Sequence, residues 1–279
     1  VYLVFGSDRT GKYIRNKMGR IEKEMQDGIS KANERSGIEK MPPDVVNQSH
    51  YIPNSAHCPP YKNTTVEYLP MGEVKFERMV QELKKAKRYI FMEYFIIQEG
   101  TMWNTILDVL EEKAKEGVDV RVIYDDMGCI LTLPTGYEKT LREKGIQCQI
   151  FNPFIPILSS HFNTRDHRKI CVIDGNVGFT GGINLADEYI NGYEKHGHWK
   201  DTAILLKGEA VFSLTTMFLS MWDYLIKKEG EDYAAYYPDS WDENAQGIVQ
   251  PFADNPLDDE AVGETVYLNL INKAKRYVY

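Results

Sequence analysis

The chain has 279 residues, of which 43% are hydrophobic and 27% are charged, and its formal net charge at pH 7 is −8. This length and composition are typical of a globular protein with one large domain or two small ones. The acidic balance excludes the overall basic surface of a nucleic-acid-binding protein. No stretch of this sequence reaches the roughly 18 consecutive apolar residues that span a bilayer, and we expect no signal peptide.

The first forty residues are distinctive in charge. The chain opens on the apolar Val1–Phe5, and the segment Arg9–Lys23 then holds six basic residues and one acid. A basic run after an apolar end is typical of a cytoplasmic juxtamembrane segment that attracts anionic lipid, but a solvated helix face explains it equally well. Residues 1–40 are therefore taken as a separate N-terminal segment, and we expect its polar part, Met18–Lys40, to be helical.

An α/β alternation follows, after a Pro- and Asn-rich stretch at residues 44–70 that we expect to be loop and short strand. The apolar periodicity predicts helices at 73–87, 102–116, 137–144 and 208–228. Apolar runs predict strands at 88–97, 118–124, 146–151, 170–173, 177–180 and 201–206. The pattern predicts an α/β fold.

The cysteines and most histidines do not form a metal-site pattern. Four cysteines are scattered along the chain without paired spacing, which indicates reduced and mostly buried thiols. His50 and His57 are expected at the surface, and His196 and His198 in a loop, because none has further ligands at metal spacing. The sequence therefore predicts neither a disulfide framework nor a metal site.

Chemistry concentrates between His161 and Tyr189. In an extended strand His167 and Lys169 project to the same face, and a buried strand and the turn at Asp174 follow them. Further along come Gly181-Gly182 and Asn184, whose backbone and amide N–H groups are expected to approach an anion. A neutral histidine, a fixed cation and a group of donors suit a phosphate ester better than a carbonyl.

The order His-x-Lys, four residues, Asp, six residues, Gly-Gly-x-Asn resembles the phospholipase D superfamily, whose members carry two such motifs. The surrounding residues narrow the likeness to the bacterial cardiolipin synthases. They are Phe151-Asn152-Pro153, Asn163-x-Arg165-x-His167-Arg168-Lys169, Val172-Ile173-Asp174-Gly175 and Asp187-Glu188-Tyr189. The resemblance implies a phospholipase D-like fold over residues 41–262, with a mixed central sheet and helices on both of its faces.

The resemblance also implies roles for individual residues. His167 is expected to be the nucleophile, and Lys169 and Asn184 are expected to bind phosphate with Gly181 and Gly182. Asp174 is expected to complete the catalytic motif and to support the fold around it. Two further acids are expected to support the site. Asp201 lies in Trp-Lys-Asp-Thr, where the family usually has Trp-Arg-Asp-Thr, and in relatives this acid contacts the histidine of the opposite motif. Glu93, within an apolar strand, needs a partner and is expected either to face the site or to form a structural pair.

The implied reaction transfers a phosphatidyl group between two phosphatidylglycerol molecules, giving cardiolipin and glycerol through a phospho-histidine. It needs no cofactor or metal and no nucleic acid, and it implies a membrane surface as partner and a cell-membrane location with the catalytic domain facing the cytoplasm. Alternatives are a phospholipase D-type phosphodiesterase, acting as a lipid hydrolase or nuclease, and an inactive half-enzyme.

The end of the chain repeats an earlier part. Gly-Glu opens and Ala-Lys-Arg-Tyr closes both the segment from Met71 and the segment from Val262. Each reads as a helix that feeds a strand, so residues 263–279 are interpreted as the start of a second phospholipase D-like domain. The partner of the first motif is then expected to be a C-terminal half with a second motif, or a second copy of the chain in a homodimer.

Overall fold

The computed structural model describes residues 35–153, 165–227, 232–254 and 260–278. The basic run Arg9–Lys23 and most of the N-terminal segment 1–40 lie outside these ranges. Within them, no helix is long and apolar enough to cross a bilayer.

A seven-stranded sheet forms the centre of the molecule, in the order β1-β7-β6-β5-β2-β3-β4. Strands β2, β3 and β4 are parallel, and all other neighbours are antiparallel, so the sheet is mixed as predicted. The strands are β1 Thr64–Leu69, β2 Tyr89–Tyr94, β3 Asp119–Asp125, β4 Gln147–Phe151, β5 Ile170–Ile173, β6 Val177–Gly181 and β7 Ala203–Gly208.

Helices cover both faces of this sheet, which confirms the predicted α/β architecture. The helices are α1 Pro43–Ala56, α2 Gly72–Leu83, α3 Thr101–Lys115, α4 Asp126–Cys129, α5 Tyr137–Glu143, α6 Val211–Ile226 and α7 Val262–Lys273. Short 3-10 helices lie at Ile38–Lys40, Asp187–Ile190 and Tyr233–Tyr236. One core holds apolar side chains of α2, α3 and α5, and the other holds those of α1, α6 and α7.

Strand β2 shows how the sequence specifies this two-layered core. All six of its residues are buried, because helices lie above and below it. Ile90, Met92 and Tyr94 enter the first core, and Phe91 enters the second, where its ring stacks on Phe218 at a centroid distance of 4.7 Å. The continuous apolar run is therefore the pattern of a strand that is covered on both faces.

The prediction of loop and short strand for residues 44–70 is wrong for its first half, which forms helix α1. Pro43 occupies the first helical turn, where a missing N–H costs nothing, and the helix ends at His57 in a left-handed conformation. Pro53 lies within the helix and is buried with Ser49 and Ile52. Packing of this face against the second core thus outweighs the poor helix propensity of its prolines and asparagines.

Helix α7 contains the second copy of the repeated sequence and packs on α1. Val262 and Val266 are buried, and the Gln48 side chain donates to the carbonyl of Val266 at 3.2 Å. No strand forms in 274–278, the part after α7 that the structure describes. The division of the chain at residues 262 and 263 stays a prediction.

Candidate active site

Four strands meet at one edge of the sheet. Strand β2 ends there at Tyr94, β6 ends there at Gly181, and the antiparallel β5 and β7 begin there. The register pairs Glu93 with Ile170, and Gly181 with Ala203. Residues that lie far apart in the sequence, just before β5 and just after β6, are thereby brought together.

His167 is exposed at this edge, beside the ring of Phe95 at a centroid distance of 4.9 Å. Partial burial and the positive charge of Lys169 lower the pKa of His167 below its usual value, although Asp166 acts in the opposite direction. A lowered pKa keeps the imidazole neutral near pH 7, with a lone pair available for nucleophilic attack.

Lys169 is almost completely buried next to the histidine. Its Nζ donates to the carbonyl of His167 at 2.6 Å and lies 5.7 Å from the ring centroid of Phe95. Burial lowers the pKa of Lys169 to about 8, while Asp166 and Asp201 raise it. The two carboxylates therefore do not fully offset the cost of burying the Lys169 charge, and this favours the approach of an anion.

Arg168 points to the opposite side of the strand and ends between two buried carboxylates. Its guanidinium lies 3.0 Å from Asp166 and 2.5 Å from Glu93. Burial raises the pKa of Glu93 well above its usual value, whereas Arg168 and the Glu93 carboxyl lower that of Asp166 against the effect of burial. Burial thus favours the protonated form of Glu93, whereas the contacts of Asp166 favour its charged form. The structure places Glu93 behind the site, where it contacts the arginine rather than His167.

The two glycines have a different role from the one expected. The Gly182 N–H donates to the carbonyl of Thr202 at 3.1 Å, so the expectation that it offers this group to an anion is wrong. A Cβ on Gly182 would overlap the Asp201 carboxylate, and one on Gly181 would overlap the Thr202 carbonyl. Gly181 also has φ +151°. The glycines therefore allow the end of β6 to approach the segment before β7 closely.

Asn184 lies in the same edge and is 2% exposed. Its Oδ1 accepts from the Ile96 N–H at 3.1 Å, and its Nδ2 donates to the Tyr189 hydroxyl at 2.8 Å. One amide hydrogen is left over after these two bonds, because an amide nitrogen carries two. Asn184 thus joins the turn after β6 to the chain after β2, and one of its amide hydrogens is not used in these two bonds.

Asp201 joins this group from the start of β7. One of its oxygens accepts from the Thr202 N–H at 2.7 Å, and its charge raises the pKa of Lys169. The structure therefore brings four of the predicted polar residues to one place: His167, Lys169, Asn184 and Asp201.

Asp174, which the motif groups with His167 and Lys169, lies at the other end of β5. Its carboxylate accepts three backbone N–H groups at the start of β2, from Lys87 at 2.9 Å, Arg88 at 2.7 Å and Tyr89 at 3.0 Å. Its own backbone has φ +53°, in a turn closed by Gly175. Asp174 therefore connects β5 to β2 and does not reach the reacting atoms.

One residue beneath the site was missed in the sequence. Lys75 on α2 is buried, with Met79 and Leu83 following on the same face. The apolar neighbour Val74, in contrast, is exposed. The signal that would have found Lys75 is its spacing of four residues from Met79 and of eight from Leu83.

The described residues contain no group of three or more side chains that could hold a metal ion. All four cysteines are free and buried, as predicted. Burial raises the pKa of each of the four thiols to about 12. These cysteines therefore contribute to packing rather than act as nucleophiles.

Comparison with known proteins agrees with this geometry. The model of the family described as "Cardiolipin synthase, PLD-like domain" matches residues 79–222. An uncharacterized protein of Streptococcus mutans is 51% identical over 84% of this chain and 50% of its own length. A cardiolipin synthase of Geobacillus kaustophilus is 39% identical over 76% of this chain and 42% of its own length.

Among solved structures, phosphatidylserine synthase of Haemophilus influenzae has a TM-score of 0.48 and 14% identity, over 73% of this chain and 50% of that protein. The chain spans about half the length of the curated relatives it matches. The family model covers more than half of the chain and includes His167, Lys169, Asn184 and Asp201. This chain therefore belongs to the family of cardiolipin synthase-type, phospholipase D-like domains.

Proposed function

We propose that this chain forms one half of a phosphatidyltransferase that makes cardiolipin and glycerol from two phosphatidylglycerol molecules. One observation supports it above the others: an exposed His167 with a lowered pKa stands beside a buried Lys169 with incomplete charge compensation. The cardiolipin synthase relatives supply the substrate class for the proposal.

In the proposed reaction, His167 attacks phosphorus of the first lipid and the bond to its glycerol headgroup breaks. The lone pair of the imidazole forms the P–N bond, and the leaving glycerol oxygen takes a proton from the second histidine. A hydroxyl of the second phosphatidylglycerol then returns its proton to that histidine and displaces His167. Lys169 and the free Asn184 hydrogen are positioned to hold the non-bridging phosphate oxygens as charge shifts between them.

The second histidine is the proposed contribution of another half-site. It comes either from a C-terminal half with a second motif or from a second copy of this chain. We further propose that the enzyme acts at the cell membrane with its catalytic domain facing the cytoplasm, where phosphatidylglycerol is presented as a lipid surface.

The test is mass spectrometry of lipids after incubation of the complete protein with phosphatidylglycerol vesicles. Cardiolipin with free glycerol is the expected product. His167→Asn should reduce the rate by roughly four orders of magnitude, because the nucleophile of a covalent mechanism is removed. His198→Asn, in an exposed loop, is the matched control and should leave the rate unchanged. Phosphatidic acid without cardiolipin would show that water is the acceptor, and turnover by His167→Asn would exclude this residue as the nucleophile.

A further inference from the structure

Lys75 is a lysine that the proposed chemistry does not use and that the fold places directly beneath the site. Its side chain leaves α2 and enters the first core, where the residue is 1% exposed. Its Nζ donates to the carbonyl of Ile183 at 2.7 Å and lies 4.7 Å from the ring centroid of Tyr94. Ile183 is the residue between Gly182 and Asn184, so the lysine holds the backbone of the phosphate-binding turn from below.

A buried ammonium group is costly unless its donors are satisfied. Lys75 has one carbonyl acceptor and one aromatic face for its three hydrogens. Burial, together with the charge of Lys169, lowers the pKa of Lys75 to about 7, while Cys171 and Asp201 act to raise it. A methionine of similar length would avoid this cost, so the lysine contributes something that apolar packing does not.

We propose that Lys75 is a positioning residue of the phosphate site, which holds the Ile183 carbonyl and thereby fixes the direction of the Asn184 amide. The inference rests on the proposed function, because that function assigns phosphate binding to Asn184. The chain of contacts is short: Nζ to the Ile183 carbonyl, the peptide bond to Asn184, and Asn184 to Ile96 and Tyr189.

The same placement couples phosphate binding to protonation. Among the described residues, the groups that face Lys75 are Tyr94, Cys171, Lys169 and Asp201, and Asp201 is the one carboxyl group in this set. An anion bound above the turn adds a second negative charge, which favours the ammonium form of Lys75. Binding of phosphate near pH 7 is therefore expected to take up a proton, and affinity is expected to decrease as the pH rises above 7.

The test compares Lys75→Met, which removes both donor and charge, with Lys75→Gln, which keeps a donor without the charge. Lys84→Met, at an exposed position at the end of the same helix, is the control. Inorganic phosphate is titrated into each protein, and the side-chain amide signal of Asn184 is followed by NMR between pH 6 and 9. Lys75→Met should shift this signal in the free protein and weaken phosphate binding about tenfold, as expected when a hydrogen bond from a charged group is lost. Lys75→Gln should keep the signal near its original position and show a weaker decrease in affinity above pH 7, because only Lys169, with a pKa of about 8, then loses its charge in this range.

An Asn184 signal and a phosphate affinity in Lys75→Met that match the wild type would overturn the proposal. If Lys75→Met does not fold, Lys75→Gln decides: an unchanged pH dependence of affinity contradicts the role of Lys75. If the wild type binds no phosphate, the proposed function fails at its phosphate site. The signal of Asn184 in the free variants still decides whether Lys75 positions it.

Discussion

The two ends of strand β5 carry residues of the same sequence motif but differ in how well their charges are satisfied. At the end with His167, the ammonium group of Lys169 is buried beside one carbonyl and an aromatic ring. At the other end, Asp174 accepts three backbone N–H groups from the start of β2. At the first end the protein leaves the charge of Lys169 incompletely satisfied, whereas at the second end backbone N–H groups satisfy the carboxylate of Asp174.

This difference shows that a spacing motif can combine reactive and structural residues. A strand of four residues is fixed in place when its far end is anchored, so Asp174 contributes to the site by holding β5 against β2. Arg168 anchors the other end of β5, next to His167. Its side chain points away from the candidate site and forms ion pairs with Asp166 and Glu93. Three changes test this division of labour.

The largest effect is expected from removing the guanidinium at the near end. Arg168→Met leaves the buried Asp166 charge without compensation and should reduce the free energy of unfolding by about 3–5 kcal/mol. Glu93→Gln is the matched control: because the raised pKa keeps Glu93 protonated, a neutral amide should cost less than about 1 kcal/mol. Urea denaturation of both variants measures the difference. Equal losses in the two would contradict the assignment of the proton to Glu93.

At the far end, Asp174→Asn should destabilise the protein by about 2–3 kcal/mol, because the amide accepts fewer of the three N–H groups and adds two donors of its own. Phosphate affinity of the folded variant should remain close to that of the wild type. Thermal unfolding and phosphate titration measure the two quantities. Asp239→Asn, at an exposed ion pair with Arg88, is the control and should be nearly neutral. If the Asp174→Asn protein were stable but had lost phosphate binding, Asp174 would have a direct role in the candidate site.

The smallest effect is a shift in the titration of the nucleophile. Lys169→Met should raise the pKa of His167, because the positive charge of Lys169 contributes to its lowering. The neutral imidazole then appears only at higher pH, so the acidic side of the pH–rate profile moves upward. NMR titration of the histidine ring measures the shift, with Lys115→Met on the exposed face of α3 as control. An unchanged His167 pKa would mean that burial alone lowers it.

The sequence allowed much of the fold to be predicted, because the strands of the central sheet are apolar runs of the right length. Helix α1 could not be predicted in this way, since its prolines and asparagines are typical of loops and its stability comes from packing on the second core. The assignment of His167, Lys169 and Asn184 to one site followed from the motif, and the structure brings them together.

The remaining features depend on contacts between segments that are distant in the sequence. Spacing alone does not show that the Gly182 N–H is occupied by Thr202, or that Asp174 anchors the start of β2. Lys75 was missed because a charged residue on a helix is usually solvated, and only the position of Tyr94 and Ile183 shows that this one is buried. These roles follow from tertiary structure rather than from local pattern.

The position of β1 has a consequence for how the chain folds. Among the described strands this edge strand pairs with β7 alone, and the Ala210 N–H donates to the Thr64 hydroxyl across 146 residues of chain. During synthesis β1 therefore emerges long before its partner, and its exposed Val66 and Tyr68 remain without a sheet to join. Such long-range pairing slows folding, because the entropy of closing the loop is lost before the contact is gained. We expect β1 to add last to the sheet, after β5 and the strands next to it, which position His167 and Lys169, have already assembled.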